Sequence, residues 1–189
     1  MKTILPYKII LLLLISNASF SQTHTDSSQR SAIIEFRNFT TVYLTASSYG
    51  LDYGVQTTNG IQISPYFYIG LGIGYDTYKD HDYYSGSVND NYKYLPLFLN
   101  IKAVVPLKRT SSFISLSYGR EHCIYYWYYR GIVDNPSDYS GNFFDAAIGF
   151  SLPLHRSLSL VLDMGYKAQS GIYYQTNLNS GILEMGIAF

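Results

Sequence analysis

The segment SLSLVLDMGY, residues 157–166, carries a large apolar side chain at every second position: Leu158, Leu160, Leu162, Met164 and Tyr166. Between them stand Ser159, Val161, Asp163 and Gly165. A period of two marks a β-strand, because successive side chains of a strand point to opposite faces. One face of this strand is large and apolar; the other is small and mostly polar. The same alternation returns along most of the chain, and this repetition restricts the fold more than any other feature.

Val42, Leu44 and Ala46 predict a first strand. Tyr53, Val55, Thr57, Ile61 and Ile63 alternate with Gly54, Gln56, Thr58, Gly60 and Gln62 in a second. Phe67, Ile69, Leu71, Ile73 and Tyr75 alternate with Tyr68, three glycines and Asp76 in a third. A fourth sets Leu95, Leu97, Leu99, Ile101 and Val105 against Pro96, Phe98, Asn100, Lys102 and Val104. Ile114, Leu116 and Tyr118 mark the fifth; Phe144, Ala146, Ile148, Phe150 and Leu152, interleaved with Asp145, Ala147, Gly149 and Ser151, mark the sixth. The opening segment is the seventh, and Leu183, Met185, Ile187 and Phe189, between Glu184, Gly186 and Ala188, form the eighth.

The connections alternate as well. Short turns are expected at 64–66, 106–111 and 153–157, and longer tyrosine-rich loops at 77–93, 120–142 and 168–181. Short turns at one end and long loops at the other is the pattern of outer-membrane barrels. An even number of strands returns both ends of the barrel to the short-turn side.

The first residues read as an export signal. Lys2 and Lys8 precede the apolar run Ile9–Ile15, and small residues around Ser19 and Ser21 fit a cleavage site between Ser21 and Gln22. A run this short does not span a bilayer as a helix, which takes about 20 residues. Residues 1–21 are therefore expected as a signal peptide, 22–38 as a polar lead-in and 39–189 as the barrel. Cys123 is the single cysteine, so no internal disulfide staples the fold.

The net charge is zero, which gives no basic surface for nucleic acid. Charged residues make up 14% of the chain, well below the roughly 25% of an ordinary soluble domain. Tyrosine is abundant, at 21 residues; its ring buries well while its hydroxyl stays wet at a membrane interface. If the polar faces met lipid, Lys102 would stand near the bilayer centre at a cost of about 2–4 kcal/mol, with Asp145, Asp163 and Glu184 adding to it. If those faces met water, lysine and glutamate would dominate them. They are instead mostly glycine, serine, alanine and glutamine, which suit the inside of a narrow closed barrel. The leucine faces are therefore assigned to lipid.

The signal, the eight alternating segments and the final Gly186-Ile187-Ala188-Phe189 resemble the small outer-membrane β-barrel family of OmpA/OmpX type. The resemblance covers essentially the whole chain after the signal. It implies an all-β, eight-stranded antiparallel up-and-down transmembrane barrel in the outer membrane of a Gram-negative cell, with short periplasmic turns and longer extracellular loops. It also implies that Met185, Ile187 and Phe189 act as a C-terminal assembly signal read by the barrel-insertion machinery. Outer-membrane lipid and lipopolysaccharide are the expected surroundings.

Three constellations are candidates for function. Lys102, Asp145, Asp163 and Glu184 fall on the inward face, where an internal salt-bridge cluster is favoured over an ion path. Tyr125, Trp127, Tyr129 and Arg130, in CIYYWYYR, offer rigid amphipathic rings beside a guanidinium and are the best candidates for recognition of an extracellular partner. The run Tyr78–Tyr84 places Asp80 and Asp82 around His81, without the ligand alternation or glycine of a calcium loop. No metal or other cofactor is expected. The resulting expectation is a filled barrel with a structural or surface-recognition role. The alternative is an outer-membrane enzyme modifying lipid A acyl chains, with Glu121 and His122 as the residues to suspect; the His-x-Ser spacing of deacylase barrels is absent, since Ile124 stands at the relevant position.

Overall fold

A computed structural model describes residues 34–47, 50–81, 88–126, 140–155, 157–170 and 177–189, with side chains left undescribed at 79–81, 88–91 and 125–126. Eight strands follow one another: β1 (Glu35–Ser47), β2 (Gly50–Ser64), β3 (Phe67–His81), β4 (Val88–Pro106), β5 (Ser111–Tyr126), β6 (Gly141–His155), β7 (Leu158–Ser170) and β8 (Leu178–Ala188). Each pairs antiparallel with its chain neighbour, and β8 returns to β1, so the sheet closes with no free edge. Closure leaves no strand edge with unpaired backbone groups.

Side-chain period and closure together make two surfaces. Facing outward are Val42, Leu44, Leu71, Leu97, Leu99, Ile114, Leu116, Ile148, Met164, Leu183 and Met185, all exposed. The inward side holds Tyr43, Tyr68, Phe98 and Phe113 with nearly all the buried polar groups. The opening segment follows this rule: Met164 is 61% exposed and Asp163 is 6% exposed. Glycines on the inner wall make room for the large rings, as at Gly72, where a Cβ would stand 2.2 Å from the Phe98 ring.

The strands run further than the hydrophobic alternation does. Thr77 pairs with Lys93 and Tyr78 with Tyr92 in β3 and β4, and Tyr92 pairs with Tyr126 in β4 and β5. The ladder continues there because backbone hydrogen bonds do not depend on side-chain polarity. The loops expected at 77–93, 120–142 and 168–181 are shortened accordingly. At the other rim β1 begins at Glu35, within the expected lead-in, and the connections are two to four residues long. The β1–β2 connection is also short, and Gly50 follows it with φ of 136°, a conformation that glycine adopts without strain.

An outward patch near the short-turn rim breaks the apolar rule. Asn38 pairs with Asn59 and Thr40 with Thr57 across β1 and β2, all on the outer wall near the rim that carries both ends of the barrel. Asn38 Nδ2 donates to Asn59 Oδ1 at 2.6 Å and to Thr57 Oγ1 at 3.1 Å, and Thr40 Oγ1 donates to Asn38 Oδ1 at 3.0 Å. Mutual hydrogen bonding lowers the cost of keeping these groups away from water. This ladder explains why the apolar period of β1 fades below Val42.

Candidate functional site in the barrel interior

Chemically capable groups concentrate in the lumen. Asp52, Asp76, Glu121, Asp145, Asp163 and Glu184 are buried, with Lys102 and Lys167 as the buried amines. They form two storeys.

The storey nearer the long-loop rim centres on Lys167 of β7, whose Nζ lies 2.6 Å from Glu121 Oε1 and 3.0 Å from Asp76 Oδ2. Asp76 projects from β3 and Glu121 from β5, so this one amine ties three strands across the barrel. Tyr43 Oη donates to Asp76 Oδ1. Gln169 Nε2 donates to Glu121 Oε2 at 2.7 Å, and Tyr78 Oη accepts from Lys167 Nζ at 3.1 Å. The Phe143 and Tyr43 rings lie 4.9 and 5.4 Å from the amine. Above it, Tyr78, Tyr92, Tyr94, Cys123 and Leu178 form an apolar plug.

The lower storey holds the four inward residues named from the sequence. All four are buried. Glu184 Oε2 accepts from Thr41 Oγ1 at 3.0 Å and from Gln56 Nε2 at 3.0 Å. Lys102 makes no direct ion pair with Asp145, Asp163 or Glu184; its Nζ donates to Ser115 Oγ at 3.1 Å and sits over the Phe113 and Phe39 rings at 4.7 and 4.9 Å. The salt-bridge cluster expected of these residues is thus replaced by longer-range attraction, and the close ion pairs belong to Lys167, Asp76 and Glu121. The physical reason is reach: Lys102 leaves β4 directly beside Ser115 of β5, while Asp163 and Glu184 leave β7 and β8. A cavity of about 10 Å³, the size of one water molecule, lies among Asn100, Asp145, Asp163 and Glu184. Phe113, Val161 and Ala188 close the space below.

Glu121 and His122 do not come together. Glu121 is fully buried in the Lys167 cluster, and His122, the next residue in the same strand, is exposed on the outer wall. Adjacent strand residues face opposite sides, so the pair suspected of lipid chemistry is divided by the barrel wall. The His81 side chain and residues Trp127, Tyr129 and Arg130 lie outside the described set; Tyr125 lies in β5 with its side chain undescribed. Among the described residues no three His, Cys, Asp or Glu side chains are placed to hold a metal ion. Of the C-terminal residues, Met185 pairs with Val42 and Ile187 with Thr40, and Phe189 exchanges backbone hydrogen bonds with Asn38 at 2.7 and 3.0 Å, so these three residues lie in the closing seam.

No family model matches the chain, and no curated protein matches it in sequence. Its fold does match solved structures. Neisserial surface protein A (NspA) superposes with a TM-score of 0.56 at 14% identity, over 81% of this chain and 94% of that one. The outer membrane protein OprG from Pseudomonas aeruginosa gives a TM-score of 0.51 at 8% identity, over 81% of this chain and 93% of that one. The chain therefore has the fold of the small eight-stranded outer-membrane β-barrels.

Proposed function

We propose that this chain is an integral outer-membrane barrel with a filled interior, acting as a structural element of the envelope or as a surface for recognition. The observation that carries this reading is the division of the closed sheet into an apolar outer wall and a lumen occupied by rings, ion pairs and hydrogen-bonded side chains. An eight-stranded barrel has room inside for little more than its own side chains, which argues against a diffusion pore. Lipid and lipopolysaccharide surround the wall, the insertion machinery meets the seam at Met185, Ile187 and Phe189, and Tyr125, Trp127, Tyr129 and Arg130 are the residues proposed to meet an extracellular partner.

Expression in a Gram-negative cell tests the proposal. The protein is expected in the outer-membrane fraction, migrating differently on a gel before and after heating. A lipid A mass profile from the same cells is expected to be unchanged. A soluble periplasmic barrel would defeat the membrane reading; a changed acyl-chain mass would transfer the function to lipid modification.

A further inference from the structure

A concavity of ligand size lies on the described part of the outer wall. It lies at the long-loop rim across β5 to β8, has a volume of about 350 Å³, and is lined by Tyr118, Asn142, Phe144, Ala168, Ser170 and Asn179 among others. Register explains its shape. Tyr118, Phe144, Ala168 and Asn179 are successive cross-strand partners, so two rings stand beside one small residue and one amide in a single row. One row towards the rim, Arg120 pairs with Asn142 and Asn142 with Ser170. One row below, Tyr166 pairs with Gly181, and a Cβ built at Gly181 meets nothing within 4 Å. Ala168 floors the hollow between the rings, amides and a hydroxyl line it, and Gly181 and the exposed Arg120 flank it in register without lining it, Arg120 standing across from Asn142.

We infer that this groove binds the head of a phosphorylated glycolipid of the outer leaflet. Resting on the membrane reading above, the argument is one of vertical order. The groove lies in the rows of the outer wall next to the long-loop rim, which on the membrane reading is where acyl chains give way to headgroups. Aromatic faces suit the apolar side of a sugar ring or the first methylenes of a chain. Asn142, Asn179 and Ser170 supply donors and acceptors for hydroxyl and amide groups, and Arg120 supplies the planar donor fork that matches phosphate. A phospholipid offers the phosphate without the sugar and would leave the amides unused. A volume of this order also suits a sugar head, since small-molecule sites run to roughly 300–1,000 Å³.

The test uses the full-length mature protein folded into phosphatidylcholine vesicles containing small equal fractions of lipid A and phosphatidylglycerol, with retained lipid counted by native mass spectrometry after release. The wild-type protein is expected to retain one lipid A in preference to phosphatidylglycerol. Gly181→Trp, which sets an indole in the open space at the lower edge of the hollow, is expected to lower that retention at least tenfold. Arg120→Gln, which leaves the floor intact, is expected to lower it about threefold, and it carries the test if the tryptophan variant does not fold. Leu71→Trp, on the opposite wall, is expected to retain lipid A as the wild type does. Equal retention in the wild type, Gly181→Trp and Arg120→Gln overturns the inference, as does equal retention of phosphatidylglycerol or replacement of lipid by a second protein copy. The heat-dependent gel shift of the wild type, read in the same samples, reports insertion separately: its presence without lipid A retention sinks the groove alone.

Discussion

Replacing Lys167 by methionine removes the one positive charge that Asp76 and Glu121 share. Methionine has similar length and no charge, so the packing against Phe143 and Tyr43 is largely kept and the electrostatic loss is isolated. Both carboxylates remain among rings in a lumen where Asp76 is 1% exposed and Glu121 is fully buried, held only by Tyr43, Tyr78 and Gln169. Removing one partner of a buried ion pair costs about 3–5 kcal/mol. At roughly 1.4 kcal/mol per factor of ten, that is about two to three and a half powers of ten in the ratio of folded to unfolded protein. Urea titration in phosphatidylcholine vesicles, read as the folded gel band, measures it. Lys167→Met should lower the unfolding free energy by this amount, read as a lower midpoint at unchanged slope. The triple variant Lys167→Met, Asp76→Asn, Glu121→Gln should recover most of the loss, because no charge is then left without a partner. A single variant within about 1 kcal/mol of wild type, or a triple variant less stable than the single one, would refute the claim that a buried ion cluster ties the upper storey together.

Four further outcomes are expected. Ile148→Arg, midway along β6 and 61% exposed, should cost about 2–4 kcal/mol in the same titration, whereas Leu160→Arg, the third residue of β7 and close to the rim, should cost about 0–1 kcal/mol, with Ser159→Ala tolerated. Gly119→Ala places a Cβ 2.2 Å from the Leu97 carbonyl oxygen and should destabilise the barrel by about 1–3 kcal/mol in that titration. Deleting Phe189 removes its two backbone hydrogen bonds to Asn38 and should cost about 1–3 kcal/mol while slowing the appearance of the folded band. Cys123, buried within the tyrosine plug, should resist maleimide in the folded barrel and react after heating, as a mass shift would show.

The eight strands and their facing were legible because period two, repeated with turn residues between, has few other solutions. Legibility ended where side-chain polarity stopped tracking the pleat. Around Tyr78, Tyr92 and Tyr126 both faces carry tyrosine or polar groups, so the ladder continues without an apolar signal and was read as loop. In β1, Asn38 and Thr40 sit on the outer face and are satisfied by Asn59 and Thr57, a partnership between strands that no single segment announces. The interior charges were legible as inward residues at Lys102, Asp145, Asp163 and Glu184, but which of them touch depends on register. Asp76 and Glu121 were left out of that cluster, and so was Lys167. Its signal was present: it continues the inward series Asp163, Gly165, as Glu121 continues that of Ser115, Ser117 and Gly119. The outward groove was not legible, because a hollow is made by the relative sizes of residues on four strands.

The most direct test of the account is which face of the wall meets lipid. Single cysteines placed from Ser159 to Tyr166 in a Cys123→Ser background, labelled with a small fluorophore and exposed to a lipid-confined quencher in vesicles, report it position by position. Strong quenching at 160, 162, 164 and 166 with little at 159, 161, 163 and 165 is the predicted result. Quenching in the opposite phase, or none that alternates, would contradict the account, because the same eight strands would then be facing the other way or lying outside the bilayer.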